Sequence, residues 1–175
     1  MATMIMSKNA KLEPWKRDIL QQAIDAAEGA AKDMANCPPA LVPVTVAQFL
    51  LESNWGRSGM GEANNYFGIK ARPGEPFVTR STTEFVKGKK VIVDAKFRAY
   101  DSMAACFADH ASLICERTRP SGKKIYEAAL QHGDDPRAFA RALTGVYATD
   151  PEYGEKLVQI MVSRGLLDSF GFASS

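Results

Sequence analysis

Glu52 is the residue of this chain whose surroundings most invite chemistry. It ends the apolar run Ala47-Gln48-Phe49-Leu50-Leu51 and is followed by Ser53-Asn54-Trp55-Gly56. A carboxyl placed there loses part of its water, which disfavours the charged form and raises the pKa. A glutamate so perturbed keeps its proton near neutral pH and can give it to a leaving oxygen, the task of a glycosidase acid. Most helical glutamates are solvated surface charges, so the pattern gains meaning only with a second group. Glycosidic cleavage generally takes two carboxyl groups, one protonated and one ionised, flanking the bond. Glu84, in Ser81-Thr82-Thr83-Glu84-Phe85, stands among threonines that could hydrogen-bond an ionised carboxylate. Asp94, Asp101 and Asp150 compete for that role, although Asp101 and Asp150 also sit where helix caps are expected.

The elements that must position these carboxylates follow from periodicity. Trp15, Ile19, Leu20, Ala23, Ala27, Ala30, Ala31 and Met34 recur at helical spacing, which predicts a first helix over Pro14–Met34. Pro38, Pro39 and Pro43 break it, and a more apolar helix from about Thr45 carries Glu52 near its C-terminal end, with Gly56 beyond. Between Phe77 and Tyr100 the period changes to two, and a β-hairpin is predicted around Lys87-Gly88-Lys89. Helical spacing returns over Ser102–Arg117, with Ala105, Ala108, Leu113 and Ile114 near one face. Asp135-Pro136 signals another helix start. Thr149-Asp150-Pro151-Glu152 reads as a start with a capping box, and Gly165 as its stop. The expected architecture is a single α+β domain over residues 1–175, a mainly helical body with a small β-hairpin lobe across a cleft.

Composition narrows the function classes. With 175 residues, 46% of them hydrophobic, the chain can bury a real core. A net charge of +2 is too balanced for a dedicated nucleic-acid binder. No segment reaches the roughly 20 apolar residues of a membrane span, and residues 1–11 lack the features of a secretory signal. Cys37, Cys106 and Cys115 have neither metal-ligand nor redox spacing, so no disulfide framework is expected, and Cys106 and Cys115 read as small buried hydrophobes. His110 and His132 are distant from each other and from any cysteine pair, so neither a metal nor a cofactor is expected.

Taken together, Glu52-Ser53-Asn54-Trp55-Gly56, Asn64-Asn65-Tyr66-Phe67-Gly68-Ile69-Lys70-Ala71, Lys96-Phe97-Arg98-Ala99-Tyr100-Asp101-Ser102 and Tyr147-Ala148-Thr149-Asp150-Pro151-Glu152-Tyr153 resemble the endo-β-N-acetylglucosaminidases of bacterial cell walls. That group includes the flagellar rod-cap hydrolase and many autolysins. The similarity runs over about 14–167. It implies a lysozyme-like fold and cleavage of the peptidoglycan glycan after N-acetylglucosamine, with Glu52 as general acid, Glu84 as second carboxylate and Tyr147 contacting the sugar. Asn65, Tyr66 and Phe67 become candidate cleft residues, Phe67 equally a core residue, and Tyr153 belongs to the last block. Trp55 either stacks on a sugar or anchors the helix. Lys70, with Lys87, Lys89, Lys90, Lys96 and Arg98, makes the hairpin region basic, which suits an anionic wall polymer. Asn54 departs from the glycine common before the tryptophan.

Other functions remain open at this point: a muramidase or lytic transglycosylase of similar fold, or a glycan-binding domain without activity. A hydrolase of the wall without a cleaved signal would need another route out of the cytoplasm. Injection into the periplasm of competing bacteria as a toxin, as by type VI secretion, is the favoured expectation. Release as a phage lysis enzyme through a holin is the alternative. An injected toxin would call for a periplasmic immunity protein that occludes the cleft.

Overall fold

The computed structural model describes residues 5, 7–58, 60–86 and 89–173, with the backbone alone at residues 84–86. Helix α1, Pro14–Lys32, buries one stripe, Leu20, Ala23, Ile24, Ala27 and Ala30, and packs on two others, α2 at Leu41–Glu52 and α3 at Met103–Cys115. In α2 the side chains from Val44 to Phe49 are all buried, so this helix runs through the centre of the molecule rather than along its surface. Phe49 is fully buried, and truncating such a ring to alanine costs about 3–5 kcal/mol. Glu52 thereby stands at the end of a helix held by burial on most of its sides.

Helix α2 begins at Leu41, earlier than the prolines suggest. Pro43 falls in the first turn, where backbone N–H groups have no partner inside the helix, so its missing donor breaks nothing. Helix α3 is capped by Ser102, whose hydroxyl accepts the Ala105 N–H at 3.1 Å, and the capping role expected of Asp101 falls to its neighbour. Its buried face is Cys106, Phe107, His110, Ala111 and Ile114, while Ala105 and Ala108 are exposed. The small alanines gave no contrast by which to place that face, and the bulky Phe107 set it.

Two short helices precede the last long one, α4 at Glu127–Leu130 and α5 at Pro136–Ala142. Asp135 caps α5 as expected, accepting the Arg137 and Ala138 N–H groups at 3.0 and 3.1 Å. Helix α6, Tyr153–Ser163, has no capping box. The Asp150 carboxylate instead accepts the Glu152 N–H at 2.9 Å and pairs with Lys156, which delays the helix to Tyr153. Gly165 ends it, and α7, Leu166–Ser169, follows. These short helices, and a 3-10 turn at Gly61–Ala63, are below the length at which periodicity is readable.

The hairpin consists of β1, Phe77–Val86, and β2, Lys89–Arg98, antiparallel with Phe77 opposite Arg98 and Glu84 opposite Val91. Lys87 and Gly88 of the predicted turn lie outside the described residues. Its root is tied to the body. The Arg98 N–H donates to the Ile69 carbonyl at 2.9 Å, and the Arg98 guanidinium lies 3.1 Å from Glu75 and 2.9 Å from Asp109. Arg117 takes the other Asp109 oxygen at 2.8 Å.

Cys37 and Cys115 form a disulfide, their Cα atoms 5.7 Å apart across a sequence separation of 78. The sequence implies no disulfide framework and leaves open whether any two cysteines pair. Spacing along the chain carries no information about a pair brought together by the packing of α1 against α3. Cys106 stays free and buried, with its pKa raised to about 12 by desolvation. Among the described residues no helix is long and apolar enough to cross a membrane.

Candidate active site

The end of α2 meets the start of α6. The Tyr153 hydroxyl donates to Glu52 Oε1 at 2.8 Å, and the Gln48 side-chain amide, one turn back along α2, donates to the Tyr153 oxygen at 3.0 Å. With its oxygen accepting from Gln48, Tyr153 has its own proton to give to Glu52. Tyr153 is 3% exposed, and its ring lies nearly parallel to that of Tyr147, at 5.7 Å between centroids and 12° between planes. Glu52 as a residue is open to solvent, but this tyrosine wall removes enough water from its carboxyl to push its pKa above the ordinary carboxylate value. That desolvation outweighs the Tyr153 hydrogen bond, which acts in the opposite direction. Glu52 therefore holds its proton to higher pH than a solvated glutamate, as an acid catalyst requires.

Gly154 explains why Tyr153 can reach so far in. A Cβ there would stand 2.5 Å from the Arg141 Cα and 2.8 Å from the Ala140 carbonyl, so α5 and α6 close together only over glycine. Tyr147 stands on the tight loop before α6, where its N–H donates to the Leu143 carbonyl at 2.8 Å. Its hydroxyl donates to the Phe67 carbonyl at 3.4 Å.

A groove of about 270 Å³ runs between Ser58 and Met60, in the loop that follows Glu52, and Arg80, Ser81, Thr82 and Phe97 of the hairpin. Position 84 lies two residues beyond Thr82 on the same strand. The Glu84 side chain lies outside the described residues.

The remaining candidates divide between wall and scaffold. Asn65 is 2% exposed, and its amide is committed to backbone: it donates to the Ile69 and Arg98 carbonyls, both at 2.8 Å, and accepts the Ile69 N–H at 3.1 Å. It joins the loop to β2, so its contribution is to shape the cleft. Phe67 is core, stacked on His110 at 4.0 Å and edge-on to Phe107. Tyr66 is half-buried, edge-on to Phe49, with its hydroxyl 3.3 Å from Asn64. Lys70 is exposed and bridges to Phe97 through its backbone. Trp55 points away from Glu52, toward α1 and the C-terminal end of α6, with Lys16 at 5.8 Å and Arg164 at 5.3 Å from its ring.

Three residues behind the site carry no signal in the sequence. Gln48 reads as one polar side chain in an apolar helix. Tyr126 reaches Tyr147 at 6.0 Å between rings. His110 is fully buried between Phe67 and Tyr147, with both ring nitrogens unpartnered and its pKa pushed down to about 3 by desolvation. Among the described residues no group of three or more histidines, cysteines and acids gathers as a metal site would need.

The chain is similar to known proteins. The family described as mannosyl-glycoprotein endo-beta-N-acetylglucosaminidase matches residues 29–166. The exo-glucosaminidase LytG of Bacillus subtilis is 37% identical over 145 residues, covering 82% of this chain and 51% of the relative. A probable N-acetylmuramidase of Lactococcus lactis is 36% identical over 154 residues, covering 87% of this chain and 35% of the relative. The chain thus spans about half of one curated relative and about a third of the other. The crystal structure of the catalytic domain of the Listeria monocytogenes autolysin Auto matches with a TM-score of 0.75 at 29% identity, covering 90% of this chain and 89% of that one. The fold is the lysozyme-like α+β one, a helical body with a hairpin at its cleft. By its family match and by these identities, the chain belongs to the glucosaminidase family.

Proposed function

We propose that this chain hydrolyses peptidoglycan, cutting the β-1,4 glycan bond after N-acetylglucosamine with Glu52 as general acid. The observation that carries the reading is the Glu52 carboxyl itself, desolvated and hydrogen-bonded by Tyr153, at the end of a buried helix whose last carbonyl accepts from Ser58, a residue of the groove. A groove between a rigid helix end and a hairpin suits an extended polymer better than a small molecule. Glu84 is the second carboxylate. Its position on β1 lies two residues beyond Thr82, one of the residues that line the groove. It would activate a water for direct displacement, or orient the substrate's own N-acetyl group if that group assists. Tyr147 would contact the sugar.

The bond cut is tested by digesting purified sacculi, reducing the products with borohydride and reading them by mass spectrometry. Reduced N-acetylglucosamine at the new ends is expected. The N-acetylmuramidase name of the Lactococcus relative favours a second reading, the alternate bond. Reduced muramic acid would establish that reading, and anhydro ends a lytic transglycosylase.

We infer that the chain works outside the reducing cytoplasm, because the Cys37–Cys115 disulfide fits an oxidising compartment. The route we propose is injection into the periplasm of competing bacteria, with a small exported immunity protein covering the cleft between Glu52 and the hairpin. Forced periplasmic export should then lyse the host, cytoplasmic expression should be harmless, and the product of a neighbouring gene should rescue growth. Neighbouring genes for a holin and phage tail parts would point to a lysis enzyme instead.

A further inference from the structure

Both tryptophans of the chain lie in one cationic surface on the other side of the Glu52 turn. Lys16 lies 5.3 Å from the Trp15 ring and 5.8 Å from the Trp55 ring, while Arg57 lies 5.0 Å over Trp15 and Arg164 5.3 Å over Trp55. Glu13 pairs with Lys16 at 3.2 Å. Among the described residues no carboxylate lies within ion-pair distance of Arg57 or Arg164. Beside Trp55 and Arg164 a hollow of about 270 Å³ opens between Asn54, Leu51, Ile160 and Ser163.

The backbone departs from ordinary conformations to build this surface. Asn54 and Trp55 have φ of 46° and 61°, a left-handed conformation that is unfavourable for a side-chain-bearing residue. That turn carries Trp55 away from the tyrosine wall and into reach of Lys16 and Arg164. Ring faces hold a guanidinium in place and leave its N–H edge able to receive a carboxylate. Both rings are half-buried, so neither projects as a wedge into a lipid surface. The ligand that suits the surface is a small, exposed carboxylate.

We propose that Trp15, Lys16, Trp55, Arg57 and Arg164 form a second binding surface, which holds the peptide-stem carboxylates of peptidoglycan while Glu52 meets the glycan. The inference rests on the proposed substrate and adds the part of it recognised away from the cut bond. It separates two tasks within one turn of chain: Glu52 faces the N-terminal end of α6, and Trp55 faces its C-terminal end.

The test measures retention of the Glu52→Gln chain on purified sacculi by sedimentation, with and without the added pair Arg57→Glu and Arg164→Glu. Each variant is checked for an unchanged melting curve. The reversed pair should weaken retention about fivefold to tenfold, and more at low salt than at high salt, as for exposed charges. The pair Arg57→Lys and Arg164→Lys should recover most of it. On glycan strands stripped of their peptides by an amidase, the reversal should change little. Equal retention of both chains on intact sacculi, or the same loss on stripped glycan, would overturn the proposal. Retention involves no catalysis, so this claim fails separately from the glycosidase reading, which falls if the unmodified chain releases no new reducing ends.

Discussion

The hydroxyl of Tyr153 and the carboxyl of Glu52 meet at 2.8 Å across a sequence separation of 101 residues. The bond has a direction, because the Gln48 amide donates to the tyrosine oxygen and the tyrosine donates to Glu52. It favours the ionised carboxylate and so opposes the desolvation that raises the Glu52 pKa.

A general acid works while protonated, so kcat/KM should fall as pH rises through the Glu52 pKa. Tyr153→Phe removes the interaction that lowers this pKa, and the alkaline limb of the profile should move to higher pH. A limb that stays in place or moves lower would mean that another group sets it.

Glu84→Gln should lower turnover by about 100-fold if Glu84 acts as the base, with retention on sacculi largely intact. Tyr147→Phe should be milder, since the hydroxyl makes only a long 3.4 Å bond to the Phe67 carbonyl and the ring keeps its place against Tyr153. Initial rates on purified sacculi compare the two. Unaltered turnover in Glu84→Gln would shift the role to the substrate's N-acetyl group or to another acid.

His110 should make the fold sensitive to acid. Buried and neutral, it binds a proton in the folded state only near pH 3, against about 6.5 for an ordinary histidine. Between those values the unfolded chain binds more protons, so stability falls as pH drops through this window, by at most about 1.4 kcal/mol per unit. Melting of a His110→Phe chain should therefore change less between neutral and mildly acidic buffer than that of the parent. An equal change in both chains would assign the acid sensitivity elsewhere.

Reduction of Cys37–Cys115 should cost about 4.5 kcal/mol, the chain-entropy value for a loop this long, and lower the melting temperature by roughly 10 °C. Melting with and without a reductant checks this. A Cys37→Ser chain should match the reduced parent and be indifferent to reductant.

The legible parts of this protein are those whose cause is local. Glu52 is marked by the apolar run before it, Asp135 stands directly ahead of the helix it caps, and the alternation of Val91, Val93, Ala95 and Phe97 is the hairpin's own period. What stayed hidden depends on elements meeting. The Glu52 hydrogen bond needs α2 and α6 to cross, and nothing near Gln48 or Tyr153 names the partner. Cys37 and Cys115 pair because α1 packs on α3. His110 has the spacing of a core residue, and only the packing of Phe67 and Tyr147 around it puts it behind the site. The displacement of the α6 start came from competition, because Lys156 and the Glu152 N–H engage Asp150 before a capping box can form.

Glu52 as the proton donor is tested most directly by clearance of purified sacculi with a Glu52→Gln chain whose fold is verified by its melting curve. Glutamine keeps the shape of the side chain and can still accept the Tyr153 hydrogen bond, but it has no proton to transfer. Clearance should fall by about 100-fold or more, the scale of general-acid loss. A folded Glu52→Gln chain that clears sacculi at nearly the parent rate would contradict the assignment.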